Sequence, residues 1–179
     1  MGADPQNGLI TIERSWKRTD RIELAFDFET RAVSGFNQTV TVERGPLLFS
    51  LPIEARWEKL RDNGFSEGHG LEKDTRDNGL SADWEVFPTS AWNYGIAPGA
   101  SFTVTEQMIS SIPFSSHAPP ATVTVNAQRV PQWMTHLSYA PAPPEDPVAL
   151  SNESFQTLTL IPYGAAKLRI TAFPTVLKG

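Results

Sequence analysis

The feature that most constrains the fold of this chain is a set of short runs in which apolar and polar residues alternate. In residues 21–28 every second side chain is apolar, and the side chains between them include Glu23 and Asp27. Residues 101–108 and 121–128 follow the same period of two, which is typical of a half-buried strand. Because 15 prolines and 12 glycines interrupt the chain, the pattern predicts many short strands joined by turns.

Other runs also favour strands because they are rich in β-branched or apolar residues. These runs are 9–14, 37–43, 47–51, 155–161 and 167–173. We expect the runs 9–14 and 21–28 to pair as one hairpin, and the runs 155–161 and 167–173 to pair as another across a short Gly-containing turn. Gly45-Pro46 predicts a bend or bulge at a sheet edge. This pattern predicts an all-β fold, an antiparallel β-sandwich of jelly-roll-like type.

Two regions lack a strand pattern. From about 54 to 100 the periodicity weakens, so the sequence predicts a long irregular loop region there, in which residues 54–61 are compatible with two helical turns. Residues 130–147 are rich in proline, which favours extended, irregular backbone that crosses one end of the sandwich.

The 179 residues fit a single domain, which at this length buries roughly 70% of the surface that the unfolded chain exposes. The sequence leaves open whether the first hairpin, 9–28, belongs to the same sandwich or to an adjoining one. It also leaves open whether the chain is an excised domain or stands alone.

Charge and composition exclude several classes of function. The net charge of −5 and the absence of a basic stripe argue against a nucleic-acid partner. No apolar run reaches the length of about 18 residues that spans a bilayer, so we expect a soluble chain with no membrane partner. The chain has no cysteine, which excludes disulfides, cysteine zinc sites and thiolate nucleophiles. The composition does not determine the cellular compartment. The chain is secreted or periplasmic if a parent protein carries a signal peptide, and otherwise it is cytoplasmic.

Six segments carry motifs whose order and spacing are similar to those of one glycosidase family. They are 12–16 (Ile-Glu-Arg-Ser-Trp), 44–49 (Arg-Gly-Pro-Leu-Leu-Phe), 92–94 (Trp-Asn-Tyr), 130–133 (Val-Pro-Gln-Trp), 158–164 (Leu-Thr-Leu-Ile-Pro-Tyr-Gly) and 168–174 (Leu-Arg-Ile-Thr-Ala-Phe-Pro). Together they resemble the carboxy-terminal β-sandwich region of β-L-arabinofuranosidase-like glycosidases, glycoside hydrolase family 127 and its relatives.

That resemblance implies retaining hydrolysis of arabinofuranosides on an (α/α)6 barrel, with a zinc-held cysteine nucleophile and glutamate. This chain has no cysteine and is too short for a twelve-helix barrel, so no catalytic residue and no metal ligand can be transferred to it. The resemblance therefore implies a non-enzymatic accessory portion that needs no cofactor, with the catalytic barrel of the parent glycosidase as its partner.

The remaining candidates for chemistry are weaker. The histidines His69, His117 and His136 lie in regions that predict loops, without a nucleophile context, and are expected to be surface or loop-packing residues. Asp62, Asn63, Asp77 and Asn78 offer oxygen ligands for calcium, but their spacing does not match an EF-hand loop. A cluster of loop carboxylates supplies the residue types of a glycosidase acid/base pair, although such residues are usually solvated. The cluster consists of Glu67, Glu72, Asp74, Asp77, Asp83 and Glu85.

The aromatic residues outside the clearest strands are the best binding candidates. An exposed indole or phenol ring can stack on the apolar face of a sugar, whereas a buried ring fills the core. These candidates are Trp57, Trp84, Trp92, Tyr94 and Trp133. For Trp92 and Tyr94 we favour an inward orientation.

Three hypotheses follow. The leading hypothesis is a non-catalytic accessory β-sandwich domain of a β-L-arabinofuranosidase-like glycosidase, which supports the barrel and contacts a plant or microbial glycan. The alternative is an independent carbohydrate-binding module that stacks sugars on exposed Trp and Tyr rings. The weakest is a glycosidase that uses the loop carboxylates.

Overall fold

A computed structural model describes residues 9–62, 82–136, 139–144 and 153–177 of the chain. The described residues form ten strands and two short 3-10 helices, Phe36–Gln38 and Tyr163–Ala165. The strands are β1 (Thr30–Ser34), β2 (Val40–Arg44), β3 (Leu47–Pro52), β4 (Ala55–Asp62), β5 (Ala82–Pro88), β6 (Tyr94–Ile96), β7 (Phe102–Glu106), β8 (Ala121–Arg129), β9 (Gln156–Pro162) and β10 (Arg169–Ile170). Among them, no helix has the length and apolar character needed to cross a membrane.

Eight of these strands form one antiparallel sheet. Its order is β1-β2-β3-β9-β8, with β6 and β7 both paired along the outer edge of β8 and β10 paired with β3. The remaining strands, β4 and β5, form a separate two-stranded hairpin. The fold is all-β and sandwich-like, as the alternation of the sequence predicted, because the main sheet curls into a half-barrel whose two sides face each other.

The core lies inside the curl. Along β8 the odd-numbered residues from Ala121 to Ala127 are buried, whereas Thr122, Thr124 and Asn126 are more exposed, which is the expected period of two. Side chains from β2, β3, β6, β8, β9 and the residues after β10 meet there. The buried cluster is Val42, Phe49, Leu51, Tyr94, Ile96, Ala121, Val123, Val125, Ala127, Leu158, Leu160 and Phe173.

Residues 169–176, which we call the closing segment, join the two sides of the curl. The segment pairs with β3 through β10, and Phe173 exchanges two backbone hydrogen bonds with Val40 at the start of β2. It then runs parallel to β6, where Ile96 donates to the carbonyl of Pro174 and Val176 donates back to Ile96. On another part of the curl, Arg44 on β2 forms a 2.7 Å salt bridge with Glu106 on β7. The sheet is therefore fastened across its opening at two places.

The close approach of the closing segment depends on Gly95 in β6. A β-carbon at this position would overlap Cγ2 of Val176 and would lie 2.8 Å from the carbonyl oxygen of Pro174. Because Gly95 has no side chain, the two backbones can approach closely enough for the hydrogen bonds between β6 and the closing segment.

The strands predicted near 37–51 and from 101 to 161 are confirmed, with shifts of a few residues at their ends. Gly45 adopts the positive φ (55°) that its position suggested, but the turn joins two neighbouring strands of the sheet, β2 and β3, as a hairpin. Pro46 fits there because Arg44 pairs directly with Leu47, which leaves the two turn residues outside the ladder.

Three local predictions were wrong. The described residues of 9–29 contain no strand, so the expected hairpin of 9–14 with 21–28 is not formed. The expected hairpin of 155–161 with 167–173 is also absent, because β9 pairs with β8 and β3 while β10 pairs with β3. Residues 54–61 are not helical turns: they form most of β4, so the region 54–100 contains strands rather than one irregular loop. Paired with β5, the backbone of this polar stretch satisfies its hydrogen bonds without a helix.

Candidate functional site

The five aromatic residues predicted as binding candidates separate into a buried group and an exposed group. Tyr94 and Trp133 are buried, with 6% and 3% of their surface exposed, and Trp92 is half-buried. Trp57 and Trp84 are exposed by 45% and 42%. The expected inward orientation is confirmed for Tyr94.

The buried group fills one end of the curled sheet. The rings of Trp92 and Trp133 meet edge to face with centroids 4.9 Å apart, and Trp133 packs with Val130 and Val176. Its indole Nε1 donates to the carbonyl of Pro141, and the Tyr94 hydroxyl donates to Oε1 of Gln156 at 2.9 Å. Because Tyr94 and Trp133 are buried and their polar atoms have partners, this group stabilises the fold.

The exposed group lies on the β4–β5 hairpin, which we call the aromatic hairpin. Trp57 pairs across the strands with Val86, and Trp84 pairs with Lys59, so Trp57 and Trp84 are diagonal neighbours on one face. Their centroids are 6.4 Å apart and their planes meet at 74°. The hairpin thus presents a corner of two indole rings to solvent.

A cation stands beside this corner. The Nζ atom of Lys167, which follows the second 3-10 helix, lies 5.5 Å from the centroid of Trp57. This is the range of a cation–π interaction. At the base of the hairpin, Thr89 donates to the carbonyl of Glu54, and the Glu54 amide donates to the Ser90 hydroxyl. Next to this base Ile53 donates to the carbonyl of Leu168, so the hairpin is joined to the body of the protein there.

The opposite face of the aromatic hairpin is charged. Arg56 pairs with Glu58 and lies with its guanidinium 4.7 Å from the ring centroid of Phe87. Glu85, one of the loop carboxylates considered for catalysis, is directly across the ladder from Glu58 and is exposed. The hairpin therefore has one aromatic face and one ionic face, and the aromatic face is the one that suits stacking on a sugar ring.

A second surface lies where the β2–β3 turn, the second 3-10 helix and the β7–β8 connection meet. These elements line an open groove of about 330 Å³. We call this surface the apolar end. It consists of Pro46, Leu47, Leu48, Phe114, Pro162, Tyr163 and Gly164.

The apolar end continues into the long connection from β7 to β8. In this connection Met108 is 94% exposed, and Ile109 and Ile112 are also largely exposed. Phe114 then lies against Gly164 in the groove. Single exposed apolar residues are normal in proteins, but a contiguous surface of this kind usually marks a contact with another protein.

The predicted calcium ligands lie almost wholly outside the described residues. Asn63, Asp77 and Asn78 fall there, as do Glu67, Glu72, Asp74 and His69, and for Asp62 and Asp83 the backbone alone is described. Of the other histidines, His117 and His136 are both exposed, and His136 stacks edge to face on Tyr139. Within the described ranges, His, Asp and Glu form no group of three or more that could hold a metal ion.

Several residues of these surfaces escaped sequence reasoning. Lys167 could not be connected with Trp57 because they are distant in sequence and meet only through the fold. Leu48 belongs to the predicted strand 47–51, and Phe114 belongs to no predicted strand, so neither residue stands out along the sequence. The detectable signal was the run Ile112-Pro113-Phe114, in which large apolar residues occur outside any alternating pattern.

Comparison of the chain with models of protein families, with curated proteins and with solved structures finds no match. A function for the chain must therefore be inferred from its two candidate surfaces, the aromatic hairpin and the apolar end.

Proposed function

We propose that the chain is a non-catalytic accessory domain of a glycoside hydrolase of the β-L-arabinofuranosidase-like type, and that its apolar end supports an (α/α)6 catalytic barrel. The observation that carries the proposal is the contiguous apolar surface around Leu47, Leu48 and Phe114. Such a surface suits a lasting contact with a neighbouring domain, since burying apolar area is the main driving force of association.

The family-like motifs support this reading by their positions. Arg44 to Phe49 forms the β2–β3 turn, and Leu158 to Gly164 ends in the second 3-10 helix. Both segments supply residues to the core and to the apolar end at once, since Phe49 and Leu160 are buried while Leu48 and Tyr163 line the groove. A docking surface for a barrel would therefore be built by the segments that resemble the family.

The docking test mixes the purified chain with the isolated barrel domain of a family 127 β-L-arabinofuranosidase and measures binding by calorimetry. We expect binding that Leu48→Glu weakens at least tenfold, because a carboxylate would be buried without a partner. Thr159→Glu is the matched control, since Thr159 is exposed on β9. Absence of binding by the unmodified chain would contradict the docking part of the proposal.

The non-catalytic part is tested separately. We expect the purified chain to release no sugar from aryl β-L-arabinofuranosides or from pectic side chains. Turnover at an enzyme-like rate, abolished by Glu85→Gln, would instead support the hypothesis of a glycosidase that uses the loop carboxylates.

The aromatic hairpin favours a second function, carbohydrate binding. Two indoles with free surface at 6.4 Å separation can stack on a sugar ring, and Lys167 beside them suits a hydroxyl or a carboxylate.

Titration of the chain with plant and microbial glycans, including arabinan, tests this second function. We expect binding that Trp57→Ala and Trp84→Ala each weaken about fivefold, since one stacked ring contributes about 1 kcal/mol. Trp16→Ala is the control, because Trp16 is equally exposed elsewhere. Equal losses in all three variants would argue against a site on the hairpin.

A further inference from the structure

The segment 21–28 has every local property of a strand but no strand partner. Ile22, Leu24 and Phe26 are all more than half exposed, and the rings of Phe26 and Phe28 stack on one another, as expected for alternate side chains on one face of an extended segment. No backbone hydrogen bond joins residues 21–29 to another described segment. An apolar face and a row of unpaired backbone groups both favour pairing with a further strand.

We propose that this segment pairs antiparallel with the same segment of a second copy of the chain, with Leu24 opposite Leu24. The inference goes beyond the proposed accessory function, since it concerns a different surface and a different partner. In this register Ile22 of each copy lies opposite Phe26 of the other, so the exposed apolar side chains cover one another.

Charge complementarity favours a second copy of the chain as the partner and favours the register with Leu24 opposite Leu24. With Leu24 opposite Leu24, Arg21 of each copy faces Asp27 of the other, which gives two opposite-charge pairs by symmetry. Neither Arg21 nor Asp27 forms a salt bridge with another described residue, so both are available. A shift to Ala25 opposite Ala25 would place Glu23 against Asp27, and like charges directly opposite each other destabilise a sheet.

Phe28 fixes the strand to the body of each copy. Its ring packs against Gly45 in the β2–β3 turn, where a side chain would collide with it. Residues 21–28 lead directly into β1, the first strand of the main sheet. In the dimer, each of the two paired strands would therefore extend from a residue that is fixed to the body of its own copy.

Sedimentation of the purified chain over a range of concentrations tests the dimer. We expect Arg21→Asp and Asp27→Arg each to raise the dimer dissociation constant about tenfold, because two attractive pairs become repulsive, and the double exchange to restore it. Both positions are exposed, so thermal unfolding measured at concentrations low enough for the chain to be monomeric should be unchanged in all three variants. A chain that sediments as a monomer throughout, or a double exchange that fails to restore association, would overturn the inference.

Disulfide trapping tests the register, since the chain has no native cysteine. Under mild oxidation Leu24→Cys should cross-link the two copies rapidly, because its β-carbons would be directly opposed. Ala25→Cys is the matched control and should cross-link more slowly. Faster trapping of Ala25→Cys, or dimers that are insensitive to all these changes and form through the apolar end instead, would show the inference to be wrong.

Discussion

Two pairs of tryptophans in this protein have the same angle between their rings but lie in different surroundings. Trp92 with Trp133 and Trp57 with Trp84 both meet at 74°, at 4.9 Å and 6.4 Å respectively. In the first pair Trp133 is almost fully buried and Trp92 is half-buried. The second stands on a two-stranded hairpin in solvent. The angle between two rings therefore does not reveal the role of an aromatic pair, whereas the burial of the rings does reveal it.

The largest effect should come from Trp133. We expect Trp133→Ala to lower the free energy of unfolding by about 3–5 kcal/mol, because it leaves a cavity beside Val130 and Val176 and removes the partner of the Pro141 carbonyl. Urea denaturation followed by circular dichroism measures the loss. A cost below about 1 kcal/mol would mean that the buried pair is not part of the core.

Next is Gly95, where the closing segment approaches β6. We expect Gly95→Ala to cost about 1–3 kcal/mol, because the new methyl group must displace Val176 and the Pro174 backbone. Gly164→Ala is the matched control, since a β-carbon there meets Phe114 at an ordinary distance of 3.5 Å. Equal stability of the two variants in urea would contradict the close approach.

A smaller effect is expected at Tyr94. Tyr94→Phe keeps the buried ring and removes the hydroxyl that donates to Gln156 at 2.9 Å. The expected loss is about 0.5–1.5 kcal/mol, at the low end because Gln156 is exposed and water can replace the hydroxyl. A much larger loss, measured in the same urea experiment, would show that this hydrogen bond does more than satisfy a polar atom.

The smallest change in stability should follow from Trp57. We expect Trp57→Ala to alter the free energy of unfolding by less than about 1 kcal/mol, because the ring is already 45% exposed. Its effect on glycan binding should be larger than its effect on folding, which is the reverse of Trp133. If Trp57→Ala destabilised the protein as strongly as Trp133→Ala, the contrast between the two pairs would fail.

Local alternation predicted most of the main sheet because central strands such as β8 and β9 bury one face. Residues 121–128 and 155–161 needed only that pattern to be recognised as strands. The same pattern at 21–28 gave a wrong prediction of a hairpin, since pairing requires a neighbour that local sequence does not specify. Residues 54–61 were missed for the opposite reason: both faces of the aromatic hairpin meet solvent over much of their area, so its strands lack a regular apolar face.

The candidate surfaces were less predictable than the sheet. Sequence reasoning named Trp57 and Trp84 as binding candidates, but it could not distinguish these exposed residues from Trp92 and Trp133. Their burial depends on tertiary packing, such as the contact of Trp133 with Val176 of the closing segment. The apolar end combines residues from three distant parts of the chain, Leu48, Phe114 and Tyr163 among them. Such a surface exists only once the strands have been arranged, so its parts look ordinary along the sequence.

The closing segment also determines when this protein can finish folding during its synthesis. Residues 173–176 come after every strand of the sheet in sequence, yet they join β2 to β6. During synthesis the curl must therefore stay open until these residues have left the ribosome, with Phe49 and Ile96 not yet covered by Phe173 and Val176. Contacts between such distant segments form slowly. The interval before closure is the time at which this chain is most exposed to aggregation and in greatest need of a chaperone.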